Sequence, residues 1–258
     1  MEEKRTSRLY RGIRWGVKLV FPKFRLVEAE QLPETPCVIV GNHSQTYGPV
    51  AGELYIPGKH EIWCAGEMMD RKEVADYAYR DFWFGKPWWN RWFYWLLSRC
   101  IGPLAELVFT NAHTIPVYHD TRIVSTFRQS IEKLRQGSSI VVFPEHYQEH
   151  NNIVHEFQEN FVDLARFYYT KTGEILSFVP LYLAPRLKTM YFGAPIAFDP
   201  KAPIARERKR ICSALMDAIT AMAVSLPEHV VVPYPNVPKK QYPKNIPLEV
   251  RVHEETAR

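Results

Sequence analysis

The sequence predicts an α/β protein, and two observations lead to that fold class. Short apolar runs rich in β-branched residues alternate with segments of helical hydrophobic periodicity, as in proteins whose strands and helices alternate. The 258 residues are 46% hydrophobic and 24% charged, which is an ordinary globular composition and enough chain for a single domain with its own core. This composition excludes a disordered chain, a collagen-like chain and a disulfide-rich miniprotein.

The strands are predicted from apolar runs that are short and that end at Gly or Pro. The clearest are PCVIVG at 36–41 and SIVVF at 139–143, which indicate buried strands. Further strands are expected at 62–65, 114–118, 178–183 and 189–192.

The helices are predicted from apolar residues that recur three and four positions apart. Phe127, Ile131 and Leu134 share one face of a helix over 125–135, and Gly137 supplies a stop signal. Further helices are expected at 47–54, at 88–110 with a break near Gly102-Pro103, at 156–169 and at 206–225.

Three segments are expected along the chain: a membrane-surface helix in residues 1–25, the folded domain in 26–226 and a C-terminal extension in 227–258. The extension holds six prolines and no clear periodicity, which favours a tail that is laid over the domain or partly disordered. The four cysteines lie far apart without a CxxC pair, a pattern typical of reduced thiols in a cytosolic protein.

Two segments carry a signal for contact with a membrane surface. In residues 4–21, apolar residues such as Leu9, Ile13 and Val17 fall on one face and basic residues on the opposite face, as in helices that lie in a lipid interface. Residues 82–95 (FWFGKPWWNRWFYW) hold nine aromatic rings in fourteen positions, and Trp and Tyr suit the headgroup layer. The alternatives are a helix packed on its own domain for the first segment and a protein–protein interface for the second.

Other membrane and targeting signals are missing from the sequence. It has no stretch of 18 uncharged apolar residues, and we expect no secretory signal. Peripheral or monotopic attachment at the cytoplasmic face of a membrane is therefore expected. The net charge of +5 is mildly basic, and because the basic residues of the N-terminal segment accompany an apolar face, no nucleic-acid partner is expected.

Asn42 and His43 follow the predicted strand at 36–41 and precede a predicted helix. Sites in α/β proteins are built at such strand ends, and a histidine there is a candidate general base. The competing interpretation is a histidine that makes a structural hydrogen bond.

The segment from Gly41 to Tyr47 resembles the first block, NHxxxxD, of the phospholipid/glycerol acyltransferases, the family of the 1-acyl-glycerol-3-phosphate acyltransferases. Three later segments resemble the other blocks in the family's order. They are Ile115-Pro116-Val117 for the second, Val142-Phe143-Pro144-Glu145 for the third (FPEGTR), and Val179-Pro180 with YFGAPI at 191–196 for the fourth and the strand after it. The resemblance covers roughly residues 35–200.

This resemblance implies a glycerol-3-phosphate acyltransferase-like domain with a central mixed, largely parallel sheet flanked by helices. It implies a role in phospholipid metabolism, with transfer of a fatty acyl group from acyl-CoA or acyl carrier protein to a hydroxyl and with no other cofactor. The family's His, here His43, is the general base on that hydroxyl. The family's Asp, five positions later, orients the imidazole.

The sequence departs from the family pattern at the charged positions. Gly48 stands where the Asp is expected, and the next carboxylate, Glu53, lies too far along the predicted helix to replace it. The cations that hold the acceptor's phosphate in the family are missing too. Their positions hold Tyr118-His119-Asp120, His146-Tyr147-Gln148 and Gln158. We therefore expect an acceptor without the usual glycerol phosphate group, or a site that binds no acceptor.

The predicted site follows from these departures. The catalytic residues are expected to be His43, Asn42 and Glu145, with Glu145 or a nearby histidine orienting the imidazole in place of the missing Asp. The substrate is expected to contact other residues of the same blocks: Tyr47, Gly48, His119, Pro144, His146, Gln148 and Gln158.

Residues 145–156 (EHYQEHNNIVHE) are rich in histidine and glutamate. His146 and His150 share one face if this segment is helical, which suits a metal pair. A polar acceptor pocket and a solvated loop are the other interpretations, and no metal ligand is assigned.

Three functions remain open from the sequence. Retention of Asn42-His43 and Pro144-Glu145 favours an active membrane-associated acyltransferase with a lipid or other acceptor. Gly48 favours a non-catalytic relative that binds lipid or acyl chains. The histidine-rich segment favours a metal-dependent hydrolase.

Overall fold

The computed structural model describes residues 7–80, 88–118 and 120–246. The fold is α/β, with a mixed, largely parallel sheet flanked by helices, as predicted. The helices are α1 (Arg8–Val20), α2 (Tyr47–Tyr55), α3 (Val74–Ala78), α4 (Arg91–Asn111), α5 (Ile123–Arg135), α6 (Asp163–Thr172) and α7 (Ile204–Val224). The strands are β1 (Arg25–Val27), β2 (Val38–Gly41), β3 (His60–Ala65), β4 (Thr114–Val117), β5 (Ser139–Val142), β6 (Glu145–Glu149), β7 (His155–Phe157), β8 (Ser177–Ala184), β9 (Thr189–Phe192) and β10 (Ile196–Ala197).

The chain divides into two compact units. The smaller unit comprises Met1–Phe21 and Glu61–Gln129, and the larger unit comprises Pro22–His60 and Ser130–Arg258. The sequence-derived boundaries after residues 25 and 226 stay predictions.

In the larger unit the strands are hydrogen-bonded in the order β1-β9-β8-β2-β5, and β10 pairs with β8. β2 is parallel to both of its neighbours, and β1 is parallel to β9. The β8–β9 and β8–β10 pairs are antiparallel. All four residues of β2 are buried, as is usual for a strand inside a parallel sheet.

The register of these strands brings two of the predicted blocks together. Val40 lies opposite Val142 of β5 and Pro180 of β8. Because β2 and β5 are parallel, the segments that follow them leave the sheet at the same edge. Those segments begin with Asn42-His43 and with Phe143-Pro144-Glu145.

Helix α7 packs along β8 through an apolar face. Ile211, Leu215 and Ile219 recur every four residues and are all fully buried, which places them on one side of the helix. Burying each such side chain contributes about 1.5–3 kcal/mol to stability. This packing fixes the strand that lies beside β2.

In the smaller unit, β3 and β4 form a parallel pair with Ile62 opposite Thr114. Helix α4 packs against α1 and α3, and the Ser7 N–H before α1 donates to Asn111 Oδ1 at the end of α4 (3.1 Å). Large apolar side chains remain exposed on this unit and are named here the aromatic surface: Leu9, Trp15, Leu19, Val20, Trp88, Trp89, Trp92, Phe93, Trp95, Leu96 and Leu104.

The aromatic surface carries both of the segments that the sequence linked to membranes. Residues 4–6 of the first segment and 82–87 of the second lie outside the described residues. Across the described part of the chain, no helix combines the length and the apolar character that crossing a bilayer requires.

Residues 227–246, named here the C-terminal loop, lie over the larger unit. The Val231 N–H donates to the carbonyl of Pro243 (2.9 Å). The buried Asn245 accepts the His229 N–H at Oδ1 (2.8 Å) and donates to the carbonyl of Ala223 (2.8 Å). The sequence left two expectations for this extension, a tail laid over the domain and a partly disordered tail. Residues 227–246 fit the first of these. Residues 247–258 lie outside the described residues.

Two predicted helices differ from the structure. α4 runs without a break through Gly102-Pro103, and Gly102 packs closely on α3, where an added Cβ would lie 3.3 Å from Val74. The helix expected from residue 156 begins only at Asp163, because 155–157 form β7, which pairs with β6. Phe157 and Phe161 are buried as their spacing suggests, but a strand and a 3₁₀ turn bury them rather than one helix.

Candidate active site

His43 lies in a tight loop between β2 and α2. Ser44 and Gln45 have φ angles of 47° and 56°, in the left-handed region that non-glycine residues seldom adopt and that costs of order 1–3 kcal/mol per residue. The loop closes when the Gly48 N–H donates to the carbonyl of His43 (3.0 Å). Such a backbone persists only where its surroundings hold it, and two buried side chains do so here.

The first of these side chains is Asn42, which is 2% exposed. Its Oδ1 accepts the Leu183 N–H (2.7 Å), and its Nδ2 donates to the Leu183 carbonyl (3.1 Å) and to Ser44 Oγ (2.8 Å). Both backbone groups of one β8 residue are therefore paired with this amide. In the structure Asn42 anchors the His43 loop to the sheet, and its polar atoms are turned toward the protein.

The second side chain is Glu145, at the start of β6. Its Oε2 accepts the backbone N–H of His43 (2.5 Å), and its Oε1 accepts the backbone N–H of His155 (2.9 Å). Burial raises the pKa of Glu145 to about 7, while the two N–H donors act in the opposite direction. The carboxyl group therefore ties the His43 loop to the β6–β7 hairpin.

Glu145 does not orient the imidazole in the way we expected from the sequence. The structure brings it to His43, but both of its oxygens are taken by backbone N–H groups. The Nδ1 atom of His43 is buried and has no hydrogen-bond partner among the described residues. The link between the two residues thus runs through the backbone of His43.

Aromatic rings surround the His43 imidazole. The rings of Phe143 and Tyr234 meet it edge-on, with centroid distances of 5.7 and 5.6 Å. Burial lowers the pKa of His43, and weaker interactions with the backbone of Gln45 and of His43 itself act in the opposite direction. The imidazole is therefore neutral near pH 7, which is the form that accepts a proton.

Gly48, where the resemblance leads us to expect the family's Asp, leaves no room for a side chain. A Cβ on this residue would lie 2.4 Å from the carbonyl oxygen of His43 and 3.0 Å from the Phe143 ring. The first contact is too close without a shift of the loop, and the second requires the Phe143 ring to move slightly. The loop is therefore built around glycine, and no carboxylate at position 48 can reach the imidazole in this backbone.

The remaining predicted residues are mostly on the β6–β7 hairpin. Pro144 is buried, and its carbonyl accepts the Gln158 N–H (2.9 Å). His146 accepts the Gln148 N–H at Nδ1 (3.2 Å). The side chains of Gln148 and Gln158 are exposed, and their expected contact with the substrate stays a prediction. Tyr47 and Gly48 begin α2, and His119 lies outside the described residues.

The histidine-rich segment is a hairpin rather than a helix. Glu149 lies opposite His155, and His150 Nδ1 lies 3.0 Å from Glu156 Oε1. His146 and His150 therefore do not share a helical face. Within 7–80, 88–118 and 120–246, no group of three or more His, Cys, Asp or Glu residues is arranged to hold a metal ion.

The C-terminal loop contributes site residues that the sequence analysis missed. The Tyr234 ring contacts the rings of His43, Tyr147 and His155 at centroid distances of 5.5–5.9 Å. Gln45 Nε2 donates to the carbonyl of Pro235 (3.2 Å) and to Tyr242 Oη (2.9 Å). The sequence feature that could have pointed to these residues is the apolar and aromatic run VVPYP at 231–235, within a proline-rich segment.

Comparisons with known proteins add little to this geometry. No family model and no curated protein matches the chain. One solved structure that matches it is the 1-acyl-sn-glycerophosphate (LPA) acyltransferase PlsC from Thermotoga maritima. That match covers 83% of this chain and 79% of that chain, with 15% sequence identity and a TM-score of 0.49. At this level the likeness supports no functional conclusion by itself.

Proposed function

We propose that the protein is a membrane-associated acyltransferase of lipid biosynthesis. It moves a fatty acyl group from acyl-CoA or acyl carrier protein to a hydroxyl on a lipid or other acceptor, without a further cofactor. The observation that carries this proposal is the position of the His43 imidazole at the carboxyl edge of the sheet, on a loop that Asn42 and Glu145 hold in place. Burial lowers the pKa of this imidazole, which favours the form that accepts a proton. The four sequence blocks that resemble the acyltransferases support the same conclusion.

His43 supplies the proton chemistry of the proposed reaction. Its neutral imidazole takes the proton of the acceptor hydroxyl as the oxygen attacks the thioester carbonyl. The new C–O bond forms, the C–S bond breaks, and the imidazolium returns its proton to the departing thiolate. The reaction yields an ester and a free thiol.

Among the described residues, no carboxylate accepts a hydrogen bond from His43 Nδ1, so the usual stabilisation of the imidazolium by an orienting acid is missing from this scheme. In a serine protease, replacing the orienting Asp lowers turnover about 10⁴-fold, which corresponds to about 5 kcal/mol of transition-state stabilisation. The edge-on rings of Phe143 and Tyr234 restrict the imidazole instead. We therefore expect slow turnover compared with an enzyme that has a complete His–Asp pair.

The proposed acceptor lacks the usual glycerol phosphate group in the position that the family uses. The hairpin residues at the family's cation positions are polar side chains other than Arg and Lys, including His146 and Gln148. Such groups suit hydroxyl, amide or ester oxygens better than a dianion.

The aromatic surface supports attachment to the cytoplasmic face of a membrane. Val20, at the end of α1, and Trp88, just before α4, are 85% and 80% exposed, and Arg91 and Arg99 are exposed on α4. Exposed tryptophans beside basic residues are the composition of interfacial helices.

The proposal is tested by incubating the purified protein with labelled acyl-CoA, or labelled acyl carrier protein, and a total lipid extract from its own cells. A labelled lipid should form, and His43→Ala should abolish it. His150→Ala changes a histidine of the exposed hairpin end and should keep the activity. Product that forms equally in His43→Ala would overturn the role of His43.

Gly48 favours a second function, a non-catalytic protein that binds lipid or acyl chains. The close contact between Gly48 and the His43 carbonyl excludes the carboxylate that the family uses. Absence of product with both donors, together with saturable binding of a non-hydrolysable acyl-CoA, would favour this second function.

A further inference from the structure

A pocket of about 340 Å³ opens beside the His43 loop, within the larger unit. Its walls come from three separate parts of the chain: the His43 loop, the turn between β8 and β9, and the C-terminal loop. The residues that matter here are Gln45, Tyr47, Arg186, Lys188, Lys239 and Tyr242. The volume lies at the small end of the range for small-molecule pockets.

The pocket wall is positively charged. Arg186, Lys188 and Lys239 line it, and among the described residues no Asp or Glu does. None of these three cations forms an ion pair with another residue of the described chain. Like charges gathered around one pocket repel each other, so an anion that enters is attracted by all three and relieves their repulsion.

The three cations are held by two well-defined backbone segments. The β8–β9 turn is closed by the Lys188 N–H, which donates to the carbonyl of Pro185 (3.2 Å), and Lys188 itself has a φ of 52°. Lys239 is carried by the C-terminal loop, which Tyr242 ties to Gln45 through their side chains (2.9 Å). The cations therefore converge through the folded backbone and not merely through sequence proximity.

We propose that this pocket binds the phosphate group of a phosphorylated ligand. Three cations suit a phosphate dianion better than they suit a carboxylate, which carries a single charge. The guanidinium of Arg186 can also donate two parallel N–H hydrogen bonds to phosphate oxygens. The phosphate can belong to the nucleotide part of a soluble acyl donor or to a lipid headgroup. Assignment of the phosphate to an acyl donor rests on the proposed function, whereas phosphate binding itself does not, because these cations take no part in the proposed proton chemistry.

The test measures binding without turnover, by titration calorimetry of the full chain at low salt. The probes are adenosine 3′,5′-bisphosphate for the soluble donor and glycerol 3-phosphate for the lipid headgroup. Adenosine and glycerol are their controls without phosphate. Low salt is needed because the three side chains are exposed, and screening weakens exposed charges.

The pocket variant is Arg186→Gln/Lys188→Gln/Lys239→Gln. The control variant, Lys201→Gln/Arg206→Gln/Lys209→Gln, removes one Arg and two Lys from exposed positions of the same unit outside the pocket. We expect saturable binding of at least one phosphate probe, a loss of about tenfold or more in the pocket variant, and little change in the control variant. Thermal unfolding of both variants checks that they fold.

The proposal is overturned if neither phosphate probe saturates, if the controls without phosphate bind equally well, or if the two variants lose the same affinity. Tighter binding of the adenosine probe assigns the pocket to the donor. Tighter binding of glycerol 3-phosphate assigns it to a headgroup, and would contradict the acceptor class proposed above without affecting the pocket. These binding measurements do not depend on turnover. They therefore test the pocket whatever the activity of His43→Ala proves to be.

Discussion

The His43 loop of the larger unit and the aromatic surface of the smaller unit depart from the usual pattern of burial in opposite ways. The first buries polar side chains, and the second exposes apolar ones. Around His43, the polar side chains of Asn42 and Glu145 are buried, and each is hydrogen-bonded to backbone N–H groups. On the aromatic surface, rings such as Trp88 and Trp92 are exposed to solvent. Both arrangements are unfavourable unless something compensates for them.

The compensation differs between the two regions. For the His43 loop it lies within the chain, because every hydrogen bond of Asn42 and Glu145 is made to residues of the same unit. For the aromatic surface, the contacts that would compensate for the exposed rings must come from outside the described chain. In α1, Tyr10 is buried while Leu9 and Trp15 remain exposed, so the helix uses one face for its own unit and leaves another open. In the proposed function, the first region serves the chemistry and the second serves contact with the membrane.

The largest expected effect comes from Gly48→Asp, which introduces the residue that the acyltransferase motif has at this position. The new Cβ collides with the His43 carbonyl, so we expect a loss of about 3 kcal/mol or more in the free energy of unfolding. Acyl transfer should not increase. Urea unfolding measures the first effect. Gly12→Asp, on an exposed helix position with nothing within 4 Å of its Cβ, is the control. A stable and more active Gly48→Asp protein would contradict our description of the loop.

The next effect concerns Glu145, whose pKa is about 7 in the folded protein and 4.5 when unperturbed. Between these values the folded state holds a proton that the unfolded state has lost. The contribution of Glu145 to the unfolding free energy therefore falls as pH rises from about 4.5 to about 7, by about 3 kcal/mol.

Glu145→Gln removes this dependence, because the amide does not titrate. Urea unfolding of both proteins across this pH range should show a difference that shrinks with rising pH. The variant also turns an amide N–H₂ toward one of two backbone donors, which lowers its stability at every pH. A difference that is constant with pH would show that the pKa of Glu145 is not raised.

The aromatic surface is tested by Trp88→Ser/Trp92→Ser. Both rings are exposed, so the free energy of unfolding should change by less than about 0.5 kcal/mol. Partition onto vesicles of phosphatidylcholine with phosphatidylglycerol should fall about tenfold. Flotation of the vesicles measures it, and Val124→Ser, another exposed apolar residue of the same unit, is the control. Unchanged flotation would point instead to a protein partner for this surface.

The smallest expected effect is that of Tyr234→Ala on the imidazole. Removing the ring lets water reach His43, and because burial lowers the pKa of this residue, the pKa should rise toward its unperturbed value. Titration followed by NMR of the histidine side chains measures the shift. Phe167→Ala, a partly exposed ring elsewhere in the larger unit, should leave it unchanged. A pKa that does not move would mean that Tyr234 does not shield the imidazole.

The central strands and the position of His43 could be predicted because they depend on short-range patterns. The runs at 36–41 and 139–143 are too apolar and too β-branched for anything but buried strands, and the polar residues after them had to leave the sheet at its edge. The hairpin at 145–157 could not be predicted in this way. Glu145 hydrogen-bonds the N–H of His155 within the hairpin and the N–H of His43 far along the chain, and such pairing leaves no periodic signal.

The sequence by itself determined the α/β class, the strand that ends at His43, and the absence of an acid at position 48, because each depends on residue type and local order. Only the tertiary structure decided that Glu145 holds the backbone of His43 rather than its ring, that Gly48 has no room for a side chain, and that Tyr234 covers the imidazole. These contacts join residues that are far apart along the chain or depend on the closed form of one loop. Distances of a few ångström between such residues follow from packing of the whole unit, which no local pattern encodes.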